Sequence, residues 1–150
     1  MVRWITRWDR EAVTDMLREL ARQHGVEPSD DALNESFDFA LRFPDQVRFC
    51  VAVRDGKVVG MASIHRAFST WRGQSKGTIE DVFVAPEARR TGVATALLTF
   101  LIAEARRRAY CALSLDVMAD NEGARSLYTR CGIVDSGYVV CQIDLSTDGS

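Results

Sequence analysis

Few features of this chain are extreme, and its shortages exclude whole classes of function. No apolar run approaches the ~20 residues of a membrane-spanning helix. The stretch Met1 to Asp9 lacks the long apolar core of a secretory leader. Its 19 basic and 21 acidic residues leave a net charge of −2, without the basic excess that nucleic-acid binding requires. The expectation is a cytoplasmic protein that binds neither nucleic acid nor membrane. Only two histidines occur, His24 and His65. Neither stands in a motif, so both read as structural or surface residues. The four cysteines, at 50, 111, 131 and 141, form no C-x-x-C pair. Zinc and thioredoxin-like chemistry therefore lose their usual spacing, and no metal is expected. Buried free thiols are the reading that remains. There is no internal repeat, low-complexity tract or linker.

What is present is ordinary for a globular protein. A chain of 150 residues, 47% apolar and 27% charged, suits one domain over 1–150 with a sizeable core. Val2 to Arg7 reads as a first strand. Asp9 is placed to cap a helix carrying Val13, Met16, Leu17 and Leu20 on one stripe. Gly25 and Pro28 end it. Ser29 or Asp30 can cap a second helix through Leu33, Phe37, Ala40 and Leu41, which Pro44 stops. Strands are expected over Val47 to Val53 and Lys57 to His65, joined by an Asp55-Gly56 hairpin turn. Residues 66 to 77 read as a polar connection, followed by a strand from Thr78 to Val84. A helix from Thr91 to about Arg108 places Val93, Leu97, Leu101 and Ala105 on one face. Cys111 to Val117 is a fifth strand and Asn121 to Cys131 a fourth helix, with Gly132 as its C-cap. Tyr138 to Leu145 reads as a last strand beside a short run near Ile133, and Ser146 to Ser150 as a frayed tail.

The order is β-α-α-β-β-β-α-β-α-β-β, with three antiparallel strands before a β-α-β crossover. That requires a mixed, mostly antiparallel α/β sheet of about six or seven strands, flanked by about four helices. The chemistry concentrates between Thr78 and Thr95. Pro86 ends the strand there, since proline has no N–H to donate. The loop to Thr91 carries Arg89 and Arg90, and Gly92 opens the helix. Free N–H groups and the dipole at a helix start favour an anion, and a glycine lets it approach closely. Arginines can add charge-assisted hydrogen bonds. An ordinary strand-to-helix connection with solvated arginines is the rival reading of this stretch alone.

Two blocks carry a family likeness. Val84-Ala85-Pro86 followed by Arg89-Arg90-Thr91-Gly92-Val93-Ala94 is similar to a V-x-P and (Q/R)-x-x-G-x-(G/A) pattern. Asn121 to Tyr128, ending at Gly132, is similar to N-x-x-A-x-x-x-Y-x-x-x-G. In this order, about thirty residues apart, they resemble the GNAT family of N-acetyltransferases. Phe68 to Gly73 and Ile79 to Val84 further resemble its diamine (spermidine/spermine) and thialysine acetyltransferase branch.

The resemblance implies acetyl-coenzyme A as cosubstrate and a small primary amine, polyamine- or lysine-like, as acceptor. It implies direct attack within a ternary complex, and family members that often dimerise. It assigns the diphosphate to backbone amides of Arg89, Arg90, Thr91, Gly92, Val93, Ala94 and Thr95. The main chain of Val82, Phe83 and Val84 would hold the pantetheine arm, with an N–H near Val82 polarising the thioester. Tyr128 is carried over as the acid for the leaving thiolate, the rival reading being a helix tyrosine packed on the core. Asn121 and Ala124 are carried over as coenzyme contacts, and Asn121 reads equally as a helix cap. Glu80 is the candidate for amine deprotonation or cation binding, with Asp81 as a further substrate contact and Asp116 as either a substrate contact or a solvated strand end. In a regular strand Asp81 points away from the face Glu80 uses, but a bulge in this splayed strand would alter that. Glu35 and Asp38 read as helix surface. An aminoglycoside or a protein amino terminus remains open as acceptor, as does a non-catalytic acetyl-coenzyme A sensor.

Overall fold

The computed structural model describes residues 1–146, so the expected frayed tail lies, after Ser146, outside the described residues. The chain divides into two compact units, Met1–Leu115 and the residues from Asp116 onward. The first contains a five-stranded sheet in the order β1-β2-β3-β4-β5. Its strands are β1 (Val2–Trp4), β2 (Val47–Arg54), β3 (Lys57–Ser69), β4 (Gln74–Val84) and β5 (Leu113–Leu115). All neighbours are antiparallel except β4 and β5, which run parallel. Three helices accompany it: α1 (Arg10–Gln23), α2 (Asp30–Arg42) and α3 (Val93–Arg107), the last bridging the parallel pair.

Strand alternation sends side chains to two faces, and both are covered. Phe49, Val51, Met61 and Phe83 build one core with Val13 and Met16 of α1 and Phe37 and Ala40 of α2. On the other face, Leu97, Leu98 and Leu101 of α3 are fully buried. Gly60 lets that helix approach. A Cβ there would stand 2.9 Å from Val93 Cγ1 and 3.2 Å from Leu97 Cδ1. The same face holds Arg48, bonded to Glu104 of α3 at 3.4 Å and stacked 3.8 Å over Trp4. Each fully buried aliphatic side chain contributes roughly 1.5–3 kcal/mol, so both helix layers are integral to the unit.

Local signals act as read at several points. Asp55 and Gly56 adopt φ of 51° and 73°, the left-handed pair a tight hairpin requires. Ser29 caps α2, its Oγ accepting from Ala32 N at 3.1 Å. Several expectations are corrected. Residues 66–69 and 74–77 are paired strand rather than a connection, from Arg66↔Gly77 to Ser69↔Gln74. Backbone pairing overrides their polar composition, leaving a turn at 70–73. Asp9 does not cap α1 with its side chain. Its carboxylate instead accepts from Thr6 N at 2.7 Å and, through both oxygens, from Arg3 at 2.7 and 2.9 Å. The fifth strand is shorter than expected, ending at Leu115. Only Cys50 among the cysteines is buried; burial pushes its thiol up to about 12, while Cys141 is exposed.

The second unit contains α4 (Glu122–Arg130), with Asn121 as its N-cap. Gly132, at φ 85°, closes it as expected. Gly132 N donates to Thr129 O at 2.9 Å and Ile133 N to Tyr128 O at 2.9 Å, the paired bonds of a Schellman turn. The last expected strand is not formed. Residues 138–145 lie outside any ladder, with Tyr138 87% and Leu145 81% exposed. The sheet therefore has five strands among the described residues, not six or seven, and the order ends β-α-β-α.

Candidate active site

The turn after β4 is built by short-range bonds. Ala85 N donates to Val59 O at 2.9 Å, fixing the strand end against β3. Pro86–Ala88 makes one 3-10 turn. Thr91 Oγ1 donates to Ala88 O at 2.5 Å and accepts from Arg54 Nη2 at 3.1 Å, tying the loop to itself and to β2. Arg90 and Gly92 then take φ of 59° and 85°. Only the second is a glycine, so Arg90 holds a conformation that side chains rarely adopt.

These turns aim the first amides of α3 outward. Side chains cap α2 and α4, whereas α1 and α3 have no side-chain cap among the described residues, and α3 alone of these starts at a left-handed glycine, Gly92. Nothing lies within 4 Å of where a Cβ would stand on Gly92. An open, uncapped helix start with positive dipole suits a diphosphate. Arg90 is exposed and free of salt bridges among the described residues. Arg89 is differently used. Its Nε donates to Val84 O at 3.0 Å, and its guanidinium lies 5.7 Å from the centre of the Phe83 ring.

The strand feeding this turn is half open. β5 pairs with β4 only from Gly77↔Leu113 to Ile79↔Leu115. Glu80 to Val84 therefore has β3 on one side and no sheet neighbour on the other. Val82 and Val84 are half-buried there, and the Phe83 side chain is in the core. The unpaired main-chain groups can accept an extended ligand as a further strand.

A bulge sits in the same stretch. Ala62 pairs with Val82 and Ile64 with Ile79, so Ser63 alone faces both Glu80 and Asp81. Such an extra residue re-aims side chains. Glu80 is exposed, while Asp81, across from Ser63 in the register of Met61↔Phe83 and Ala62↔Val82, accepts from Ser63 Oγ at 2.6 Å. The strand is thus bulged at Glu80 and Asp81 rather than regular. Ser63 is fully buried, and its Oγ lies 3.5 Å from His65 Nε2. His65, read from sequence as structural or surface, belongs to this polar cluster. The signal that could have found it is the S-x-H spacing, which puts residues 63 and 65 on one strand face.

The remaining sequence candidates lie elsewhere. Asp38 is bound by Arg10 at 2.5 Å and Glu35 is exposed. In the second unit, Asp116 is exposed just past β5. Asn121 Oδ1 accepts from Ala124 N at 3.1 Å, so Asn121 is a helix cap. Tyr128 is half-buried on α4, and burial pushes its phenol pKa up. No group of His, Cys, Asp and Glu among the described residues is arranged to hold a metal ion. No helix among them is long and apolar enough to cross a membrane.

Residues 11–133 match the acetyltransferase (GNAT) family. The chain belongs to that family. It is an N-acetyltransferase, and GNAT enzymes use acetyl-coenzyme A. The chain is 32% identical to an IAA acetyltransferase of Azospirillum brasilense over 129 residues, 85% of this chain and 80% of that protein. It is 28% identical to an aminoalkylphosphonate N-acetyltransferase of Salmonella typhimurium over 137 residues, 91% of this chain and 86% of that one. Its fold is like that of a predicted acetyltransferase with acetyl-CoA from Clostridium acetobutylicum. The TM-score is 0.79 at 21% identity, covering 97% of this chain and 96% of that one.

Proposed function

We propose that this chain is a single catalytic domain that transfers acetyl from acetyl-coenzyme A to the primary amine of a small cationic molecule, polyamine- or lysine-like. The observation that carries the reading is the β4 bulge. It presents Glu80 and Asp81 beside an unpaired strand edge that leads into an uncapped helix start. Two carboxylates at one point suit an ammonium group.

Bound acetyl-coenzyme A supplies the activated acetyl thioester. Backbone amides from Arg89 to Thr95 hold its diphosphate, and Arg90 adds charge. Main-chain groups of Val82 and Val84 hold the pantetheine arm, and an amide near Val82 polarises the carbonyl. Glu80 and Asp81 hold the acceptor's ammonium and receive its proton. A lysine-type amine titrates near 10.4 and attacks only when neutral, so this proton must leave. Tyr128 supplies a proton to the departing thiolate. An unperturbed phenol is already protonated at neutral pH, and burial raises the pKa of this one further. Acceptor and thioester meet in one ternary complex, with no acylated side chain.

A second reading has one observation behind it. The Salmonella relative, 28% identical, is named for an aminoalkylphosphonate. An amine carrying an anionic group would then replace the plain cation. Thiol release from acetyl-coenzyme A across a panel of diamines, lysine analogues and aminoalkylphosphonates tests both. Preference for diamines that falls at least tenfold in Glu80→Gln supports the cationic acceptor. Preference for aminoalkylphosphonates contradicts it.

A further inference from the structure

We infer that Ser63 and His65 form a proton path leading from Asp81 to the surface of β3, and that His65 is its terminal acceptor. The inference rests on the acetyl-transfer reading above and adds the route by which the acceptor amine loses its proton.

The geometry is a three-member chain. Asp81 Oδ2 accepts from Ser63 Oγ at 2.6 Å, and Ser63 Oγ lies 3.5 Å from His65 Nε2. The second distance is at the long end for a hydrogen bond, as catalytic contacts often are before substrate binds. Position along β3 fixes who can take part. Residues 63 and 65 share a face, Ser63 is 0% exposed, and His65 is half-exposed. The inner member is sealed from water and the outer one reaches it. The register that pairs Met61 with Phe83 and Ala62 with Val82 sets Asp81 opposite Ser63, on the strand next to it.

Chemistry gives the path a direction. A hydroxyl both donates and accepts, so Ser63 can hand a proton on while taking another. An imidazole is a stronger base than a carboxylate, so a proton arriving at Asp81 moves toward His65. In balance, the ammonium N–H bond of the acceptor breaks and a proton arrives on Asp81 Oδ2. The Ser63 O–H, which at rest donates to Asp81, turns to His65, and Ser63 Oγ then takes the proton from Asp81 while giving its own to neutral His65 Nε2. An Nε2–H bond forms, and Asp81 and Ser63 return unchanged. The imidazolium then releases the proton to water. Ser63 and His65 act through Asp81 and are positioning residues, not groups that touch the substrate.

Steady-state kinetics of His65→Gln, His65→Ala and Ser63→Ala against wild type, with coenzyme affinity measured separately, tests this. Glutamine keeps a hydrogen-bonding amide but cannot carry the proton. The expected result is a kcat lowered roughly tenfold to a hundredfold in His65→Gln, with coenzyme affinity unchanged. Added imidazole should restore turnover to His65→Ala but not to Ser63→Ala, whose gap lies inside the sheet. The Ser63→Ala/His65→Ala double variant should be no slower than the slower single one. Full turnover in His65→Gln, or no recovery of His65→Ala with imidazole, overturns the path while the acetyl-transfer reading stands. Wild type that releases no thiol with any amine overturns that reading and the path together.

Discussion

The two units of this chain are held together by different means. In Met1–Leu115, strands and helices bury a core on each side of the sheet, and every fully buried side chain found belongs to this unit. Among the described residues from Asp116 onward, the one helix has no buried residue, and large apolar side chains such as Val117, Met118, Val134 and Leu145 stand exposed. Its helix is defined by end chemistry instead, with Asn121 at one terminus and the Gly132 turn at the other. In the proposed mechanism the first unit binds and positions, while the second contributes Tyr128. Stability and chemistry are therefore expected to separate on mutation.

The sharpest contrast is one truncation made in both units. Leu97→Ala removes a side chain that is 0% exposed on α3. It should cost about 3 kcal/mol, a melting-point drop of roughly 10 °C. Leu127→Ala, half-buried on α4, should cost under about 1 kcal/mol. Equal costs in thermal unfolding would erase the distinction.

Tyr128→Phe tests the other half. It should lower turnover about a hundredfold, leave coenzyme affinity within about twofold, and change stability little. Unchanged turnover would remove the acid role from α4.

Asp9 probes how the first unit depends on pH. Arg3's guanidinium holds its carboxyl below the usual range, outweighing the opposite push of burial, and Thr6 adds to the lowering. A folded pKa below the unfolded one means stability that is complete above about pH 4–5 and lost as pH falls through the folded value. Asp9→Ala should cost about 2 kcal/mol at pH 7 in chemical denaturation, with the gap to wild type narrowing below about pH 4. A gap independent of pH would contradict the ion-pair account. The smallest effect is expected at Gly132→Ala, where φ of 85° penalises a Cβ. About 1 kcal/mol should be lost from α4, read as faster amide exchange at Tyr128 to Cys131 with no change in β2 or β3.

How much of this was legible in the sequence varied with how local its cause was. Asp55-Gly56, Ser29 and the Gly132 turn act through neighbouring residues, and each does what its residue type dictates. The arms of the β3-β4 hairpin were misread as a connection because their side chains are polar, although backbone pairing holds them. The bulge at Glu80 and Asp81 depends on the register between two strands, which no single stretch records. His65 and Ser63 were consequently invisible as partners of Asp81. Residues 138–145 have a strand's composition, but a strand also needs a partner ladder, which its own residues cannot supply. The turn at 89–95 was legible because glycine placement, strand end and helix start all lie within about ten residues.

Amide chemical shifts of the isotope-labelled protein, followed as acetyl-coenzyme A is added, test the central claim most directly. The account predicts saturable shifts concentrated at Arg89 to Thr95 and at Val82 to Val84. Saturable binding that leaves those amides unmoved would place the coenzyme elsewhere and contradict it.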